Sequence, residues 1–196
     1  RIPDALRETL PDFEFMSGVL TSRASLVQRY GYFEMRARMP AGKALWPAFW
    51  LLPADKSWPP EIDIVELVGQ QPELVVTTTH WVGPDGKHSS SGCRTRKPET
   101  TTGFHTYGAL WTAEHITYYF DREPIAHMKT PPGMDRPMYM LLNMGVGGNM
   151  VGRADADTPL PASYDIDFVA AYALPGQPPP CQPRRAAQDV NACNPR

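Results

Sequence analysis

The sequence predicts an all-β sandwich of two antiparallel sheets, and three observations carry that expectation. Apolar and polar residues alternate with a period of two through most of the chain, helical periodicity is nearly missing, and Gly, Pro and Asp punctuate the chain where short strands would turn. Taken in order, Asp4 to Leu10 after Pro3 reads as a short helical turn, and Gly18–Arg23 opens the strand series. Tyr30–Met39 shows alternation best, with Phe33, Met35, Ala37 and Met39 on one face and Tyr32, Glu34, Arg36 and Arg38 on the other. Ala44–Leu52, Ile62–Val68 and Leu74–Trp81 follow; Pro84–Pro98 reads as a loop carrying Cys93. Phe104–Trp111 and His115–Phe120 come next. Asp121-Arg122-Glu123-Pro124 is a hairpin connection into Ile125–Met128, which Pro124 confines to an edge or a short piece. Met138–Val146, a loop over Asn149–Pro161, and Tyr164–Tyr172 complete the domain, expected to span residues 1–174. From Pro175 the alternation stops, and residues 175–196 read as a Pro-rich tail.

Composition narrows the function classes. The chain has 196 residues, is 42% hydrophobic and carries a formal net charge of −2, which suits one globular domain with a sizeable core. Basic residues are scattered, and no run of five like charges occurs, so nucleic acid and membrane surface are poor partners. No apolar stretch approaches the roughly 18 residues of a bilayer span, and Arg1 to Leu10 lacks the apolar segment of a signal peptide. Of three cysteines, Cys181 and Cys193 could close a loop in an oxidising compartment, leaving Cys93 free; a reducing one would leave three thiols. Zinc is not expected: no Cys-x-x-Cys pair exists, and His80, His88, His105, His115 and His127 lack metalloprotease spacing.

The chemistry concentrates in Glu61-Ile62-Asp63-Ile64-Val65-Glu66, where three carboxylates share six residues with β-branched partners. The β-branched residues favour a strand, in which Glu61 and Asp63 share a face. Glu66, at an odd separation, joins them only if an extra bulged residue falls among positions 64 to 65. The two glutamates are then four strand steps apart, roughly 13 Å between Cα atoms, a gap that inward-leaning side chains can largely close. Two carboxyl groups converging to about 5–5.5 Å is the geometry of a retaining glycosidase.

The hexapeptide resembles the bulged signature of glycoside hydrolase family 16. Four further blocks agree in the family's order: Tyr30-Gly31-Tyr32-Phe33-Glu34, the run Leu45 to Pro53, Phe104 to Gly108 with Trp111, and Leu142 to Gly148, closed by the strand Asp165 to Val169. The resemblance covers roughly residues 17–172. It implies a jelly-roll sandwich with a concave cleft, and a retaining endo-β-glycanase acting on β-1,3- or β-1,3-1,4-linked glucans or a bacterial exopolysaccharide. It also implies Glu61 as nucleophile, Glu66 as general acid/base and Asp63 as the partner holding the nucleophile. Trp58, three positions before Glu61, is placed to stack on a sugar, and His80 would lie near the carboxylates. Asn143, Trp50 and Trp46 are further candidate substrate contacts, whereas His105 reads as structural and Asp155 and Asp157 as solvating. A transglycosylase would use the same carboxylates, and a carbohydrate-binding sandwich would keep the tryptophans without needing three acids. No cofactor is required. The family's calcium site would place Asp167 among its ligands, but one Asp is not a site for a cation that wants six to eight oxygens. The family carries additional N-terminal strands, and with sixteen residues before Ser17 the sandwich is expected to lack them. A monomer, secreted or periplasmic because its polymer substrate lies outside the cell, completes the expectation.

Overall fold

The computed structural model describes residues 14–98, 100–177 and 180–181. The helical turn expected at 4–10 and most of the tail, including Cys193, lie outside them. The described chain forms eleven strands: β1 (Val19–Thr21), β2 (Gly31–Arg38), β3 (Leu45–Pro53), β4 (Glu61–Leu67), β5 (Leu74–Val82), β6 (His88–Arg96), β7 (His105–Trp111), β8 (His115–Phe120), β9 (Glu123–Lys129), β10 (Met138–Val146) and β11 (Asp165–Tyr172). All pairings are antiparallel, in a six-stranded sheet ordered β1-β10-β3-β4-β5-β6 and a five-stranded sheet ordered β11-β2-β7-β8-β9. This is the expected all-β sandwich.

The alternation read from the sequence decides what lies between the sheets. Phe33, Met35, Ala37 and Met39 are fully buried, and they meet Phe49, Leu51, Ile62, Ile64 and Leu67 of the larger sheet in one core with Tyr107, Trp111 and Ile116. Burying one such side chain contributes about 1.5–3 kcal/mol, so the core holds the sheets face to face. The opposite face of the larger sheet is free to carry polar side chains.

Two local features bear on the expectations. Asp121 and Arg122 both have positive φ (49° and 64°), giving the two-residue turn that joins β8 to β9 as a hairpin. Glu123 and Pro124 belong to β9, which is the sheet-edge strand that Pro124 requires. The segment read as the Pro84–Pro98 loop is instead mostly strand: β6 pairs with β5 along its whole length, from Leu74 opposite Arg96 to Val82 opposite His88. Its sequence, HSSSGCRTR, offers no apolar face, because β6 is an edge strand exposed along most of its length. Cys93 therefore stands on an exposed strand, as a free thiol. Cys181 is disulfide-bonded, and its backbone pairs with that of Val27.

Candidate active site

The three carboxylates lie on one face of β4, and the register shows how. On β5, Glu61 is opposite His80, Asp63 opposite Thr78 and Glu66 opposite Val76. Residues 80, 78 and 76 alternate evenly, whereas β4 takes three residues to pass from Asp63 to Glu66. On β3 the same interval runs from Trp50, opposite Asp63, to Ala48, opposite Glu66. One extra residue is accommodated at Ile64-Val65, the position required by the sequence argument, and both apolar side chains there are buried. Without the bulge Glu66 would turn into the core.

Each carboxyl group has its own partners. Trp58 donates its indole N–H to Glu61 Oε2 at 2.7 Å. Trp46 donates to Glu66 Oε1 at 3.1 Å, and the Thr78 hydroxyl lies 3.5 Å from Oε2. Asp63 is only 3% exposed, and its Oδ2 receives no well-directed hydrogen bond, although His80 Nε2 is 3.1 Å away. His80 Nε2 also approaches Glu61 Oε1 at 4.0 Å.

Burial and mutual repulsion set the protonation of this cluster. Burial above all, reinforced by the charges of Glu61 and Glu66 and a shared hydrogen bond with Glu61, holds Asp63 well above the usual carboxylate range. Burial also raises Glu66, with the Glu61 charge adding and the Trp46 hydrogen bond opposing. The site can therefore keep protons on some carboxyl groups while others ionise.

The remaining predicted residues are placed as follows. Trp58 is 57% exposed at the rim, where a flat apolar face is open to a ligand. Trp50 lies on the carboxylate face, not in the core, and donates to Asn143 Oδ1 at 2.7 Å across β3 and β10. That bond answers the demand of the amide in an otherwise apolar strand. Trp46 lies against Gly148, whose φ of 139° and lack of Cβ permit the approach: a Cβ there would fall 2.8 Å from Cζ3 of the indole. His105 pairs with Asp121 at 2.8 Å and stacks on Phe120, away from the carboxylates. Asp155 forms an ion pair with Lys43, and Asp157 lies 3.9 Å from the same ammonium.

Asp167 sits at a bulge between Ile166 and Phe168, with Oδ2 2.5 Å from the Arg36 guanidinium, while Arg38 takes Asp165 at 2.6 Å. Among the described residues, three or more carboxylate, imidazole or thiolate ligands gather within 4.8 Å only at Glu61, Asp63 and His80, in the cleft.

The sequence reading missed His88. It stands on β6, diagonally across from His80, with its Nε2 2.8 Å from His80 Nδ1 and its ring 4.9 Å from that of Trp58. Strand alternation from His88 to Ser90, opposite His80, was the available signal, but it is carried by polar residues alone.

The comparisons agree with this architecture. The profile described as "Glycosyl hydrolases family 16" matches residues 6–169. Endo-1,3-1,4-beta-glycanase ExsH of Rhizobium meliloti is 44% identical over 176 residues, covering 87% of this chain and 36% of that protein. A beta-glucanase of Rhodothermus marinus is 33% identical, covering 87% of this chain and 67% of that protein. The crystal structure of a laminarinase from Flavobacterium sp. UMI-01 superposes with a TM-score of 0.71 at 32% identity, covering 79% of this chain and 72% of that one. The chain thus spans little more than a third of the length of the Rhizobium relative. With five ordered sequence blocks, a bulged acidic strand and a sandwich shared with solved laminarinases, the chain belongs to glycosyl hydrolase family 16.

Proposed function

We propose that the chain is a retaining endo-β-glycanase domain that hydrolyses internal β-1,3 or β-1,3-1,4 bonds of a glucan or related exopolysaccharide. The observation that carries this reading is the bulge at Ile64-Val65, which turns Glu61, Asp63 and Glu66 to the same side of β4. The names of the relatives supply the substrate class: an endo-1,3-1,4-beta-glycanase and a beta-glucanase.

In this mechanism Glu66 begins protonated, as its burial favours, and gives its proton to the departing glycosidic oxygen. Glu61 attacks the anomeric carbon, and the C–O bond to the leaving sugar breaks as the bond to Glu61 Oε forms. Trp58 and Asp63 hold the Glu61 carboxylate by hydrogen bonds. Glu66, now ionised, takes a proton from water, whose oxygen displaces Glu61 and restores the β configuration. A sugar hydroxyl in place of water would give transglycosylation on the same residues.

The polysaccharide is the expected partner, met by a monomer outside the cell, secreted or periplasmic. Mass spectrometry of products from laminarin, lichenan and a succinoglycan-type polymer tests the reading. Internal-cleavage oligosaccharides from the native chain, absent with Glu61→Gln, are expected. A Glu61→Gln form that matches the native chain, or a native chain that binds glucan and releases nothing, would favour the carbohydrate-binding alternative.

A further inference from the structure

We infer that His88 is a positioning residue of the carboxylate site, acting through its hydrogen bond to His80, which it holds against Asp63, beside the Trp58 ring that donates to Glu61. The inference rests on the glycanase reading above. His88 touches neither carboxylate in the hydrogen bonds and ion pairs given above. It meets both of their partners: its Nε2 is 2.8 Å from His80 Nδ1, its ring lies edge to edge and nearly coplanar with that of His80 (centroids 5.1 Å apart, 17°), and its other neighbour is the Trp58 indole at 4.9 Å and 37°. Beyond these lie the indole N–H on Glu61 Oε2 and the imidazole Nε2 at 3.1 Å from Asp63 Oδ2.

The fold explains why His88 can reach both. Val82 is directly opposite His88 and His80 is opposite Ser90, so the two histidines are diagonal neighbours on one face of β5 and β6, within reach of long side chains. Trp58 lies in the segment entering β4, which delivers it to the same face. An exposed edge strand has no packing reason to place an imidazole between two polar rings.

The shared proton gives the contact a chemical consequence. With both rings neutral, one tautomer has His88 donating to His80 Nδ1, which leaves the His80 proton on Nε2, towards Asp63 and Glu61. The other has His80 donating and turns the bare Nε2 lone pair towards two carboxyl groups. Electrostatics favours the first, in which the His88 N–H holds His80 Nδ1 as an acceptor and so fixes the orientation of the His80 ring towards the carboxyl groups. Partners that orient a site residue in this way typically alter activity by about 10–100-fold when removed, as established for metal-ligating histidines.

Three variants separate hydrogen bonding from stacking. His88→Ala removes both, His88→Phe keeps a ring on Trp58 without the nitrogen, and His88→Gln restores a polar group near the Nε2 position. On the glucan cleaved best by the native chain, kcat should fall about tenfold in His88→Ala and His88→Phe, with KM within about threefold, and largely recover in His88→Gln. Unchanged kcat in His88→Ala, or equal activity in the Phe and Gln variants, would overturn the inference. The ¹⁵N shifts of the His80 ring give a readout independent of turnover: protonated Nε2 and accepting Nδ1 in the native chain and His88→Gln, with Nδ1 altered in His88→Ala and His88→Phe. If the native chain cleaves no glucan, the glycanase reading falls while these shifts still decide the contact; a His80 Nδ1 signal indifferent to His88 would overturn it. Should His88→Ala fail to fold by circular dichroism, the Phe and Gln variants carry the comparison.

Discussion

Trp46 donates its indole N–H to Glu66 Oε1 at 3.1 Å, so the carboxyl group that burial pushes towards the protonated form is pulled partly back by a neighbour. A hydrogen bond to the ionised form lowers a pKa, and its loss raises it. Trp46→Phe keeps the ring and removes the donor. The alkaline limb of the kcat/KM profile, which reports the acid in the free enzyme, should therefore move to higher pH. A limb that stays in place or moves down would mean that another group governs it.

Trp58 donates to Glu61 and leaves a ring face exposed, which under the proposed function would meet a sugar. Trp58→Phe should lower kcat by roughly 10–100-fold with little change in KM, because one charge-assisted hydrogen bond contributes about 1.5–3 kcal/mol. Trp58→Ala should raise KM as well. Steady-state kinetics on one oligosaccharide distinguishes the two.

Asp63 has its carboxyl group raised well above the usual carboxylate range by burial and by the charges of Glu61 and Glu66. A carboxyl group whose folded pKa exceeds its unfolded one binds more protons in the native state, so stability falls as pH rises from the unfolded value towards the folded one. Asp63→Asn removes that dependence. Thermal melts should show the variant gaining on the native chain as pH rises through the weakly acidic range, by about 2–4 °C for each kcal/mol. Its kcat should nevertheless drop, since the group that shares a proton with Glu61 is gone.

Glu34, 1% exposed on the opposite sheet, receives Arg122 Nε at 3.2 Å, Arg122 Nη2 at 3.0 Å and the Tyr32 hydroxyl at 2.8 Å. Burial alone would raise Glu34, but the bonds from Arg122 and Tyr32 outweigh it and hold the carboxyl low. Its stabilisation is present above the unfolded value and lost as pH falls through the folded one. Arg122→Ala should lower stability only modestly, because the guanidinium is largely exposed, and should move acid unfolding to higher pH. Denaturant melts at two pH values check both.

The sequence made the sandwich legible because buried strands write their burial as alternation. Phe33, Met35, Ala37 and Met39 show it, and so does the odd spacing from Glu61 to Glu66, which only a bulge can reconcile with a shared face. What stayed hidden lacks such a signature. β6 packs little apolar surface and so looked like a loop, and with it His88 disappeared from the site. Asp167 carried only a family expectation, and whether a carboxylate meets a metal or an arginine depends on a cross-strand neighbour, Arg36, that spacing along the chain does not identify. Trp46 and Trp50 are candidate sugar contacts in the sequence; that their indole N–H groups reach Glu66 and Asn143 follows from pairing register, which the sequence does not display.

Double displacement by Glu61 and Glu66 fixes the anomer that forms first, which ¹H NMR of the first-formed reducing ends reads during hydrolysis of laminarin or lichenan. The β-anomer signal should rise first, and the α-anomer should follow only by mutarotation. An α-anomer that forms first would contradict it, because inversion requires a water between carboxyl groups about 6.5–9.5 Å apart, not a nucleophile on the sugar.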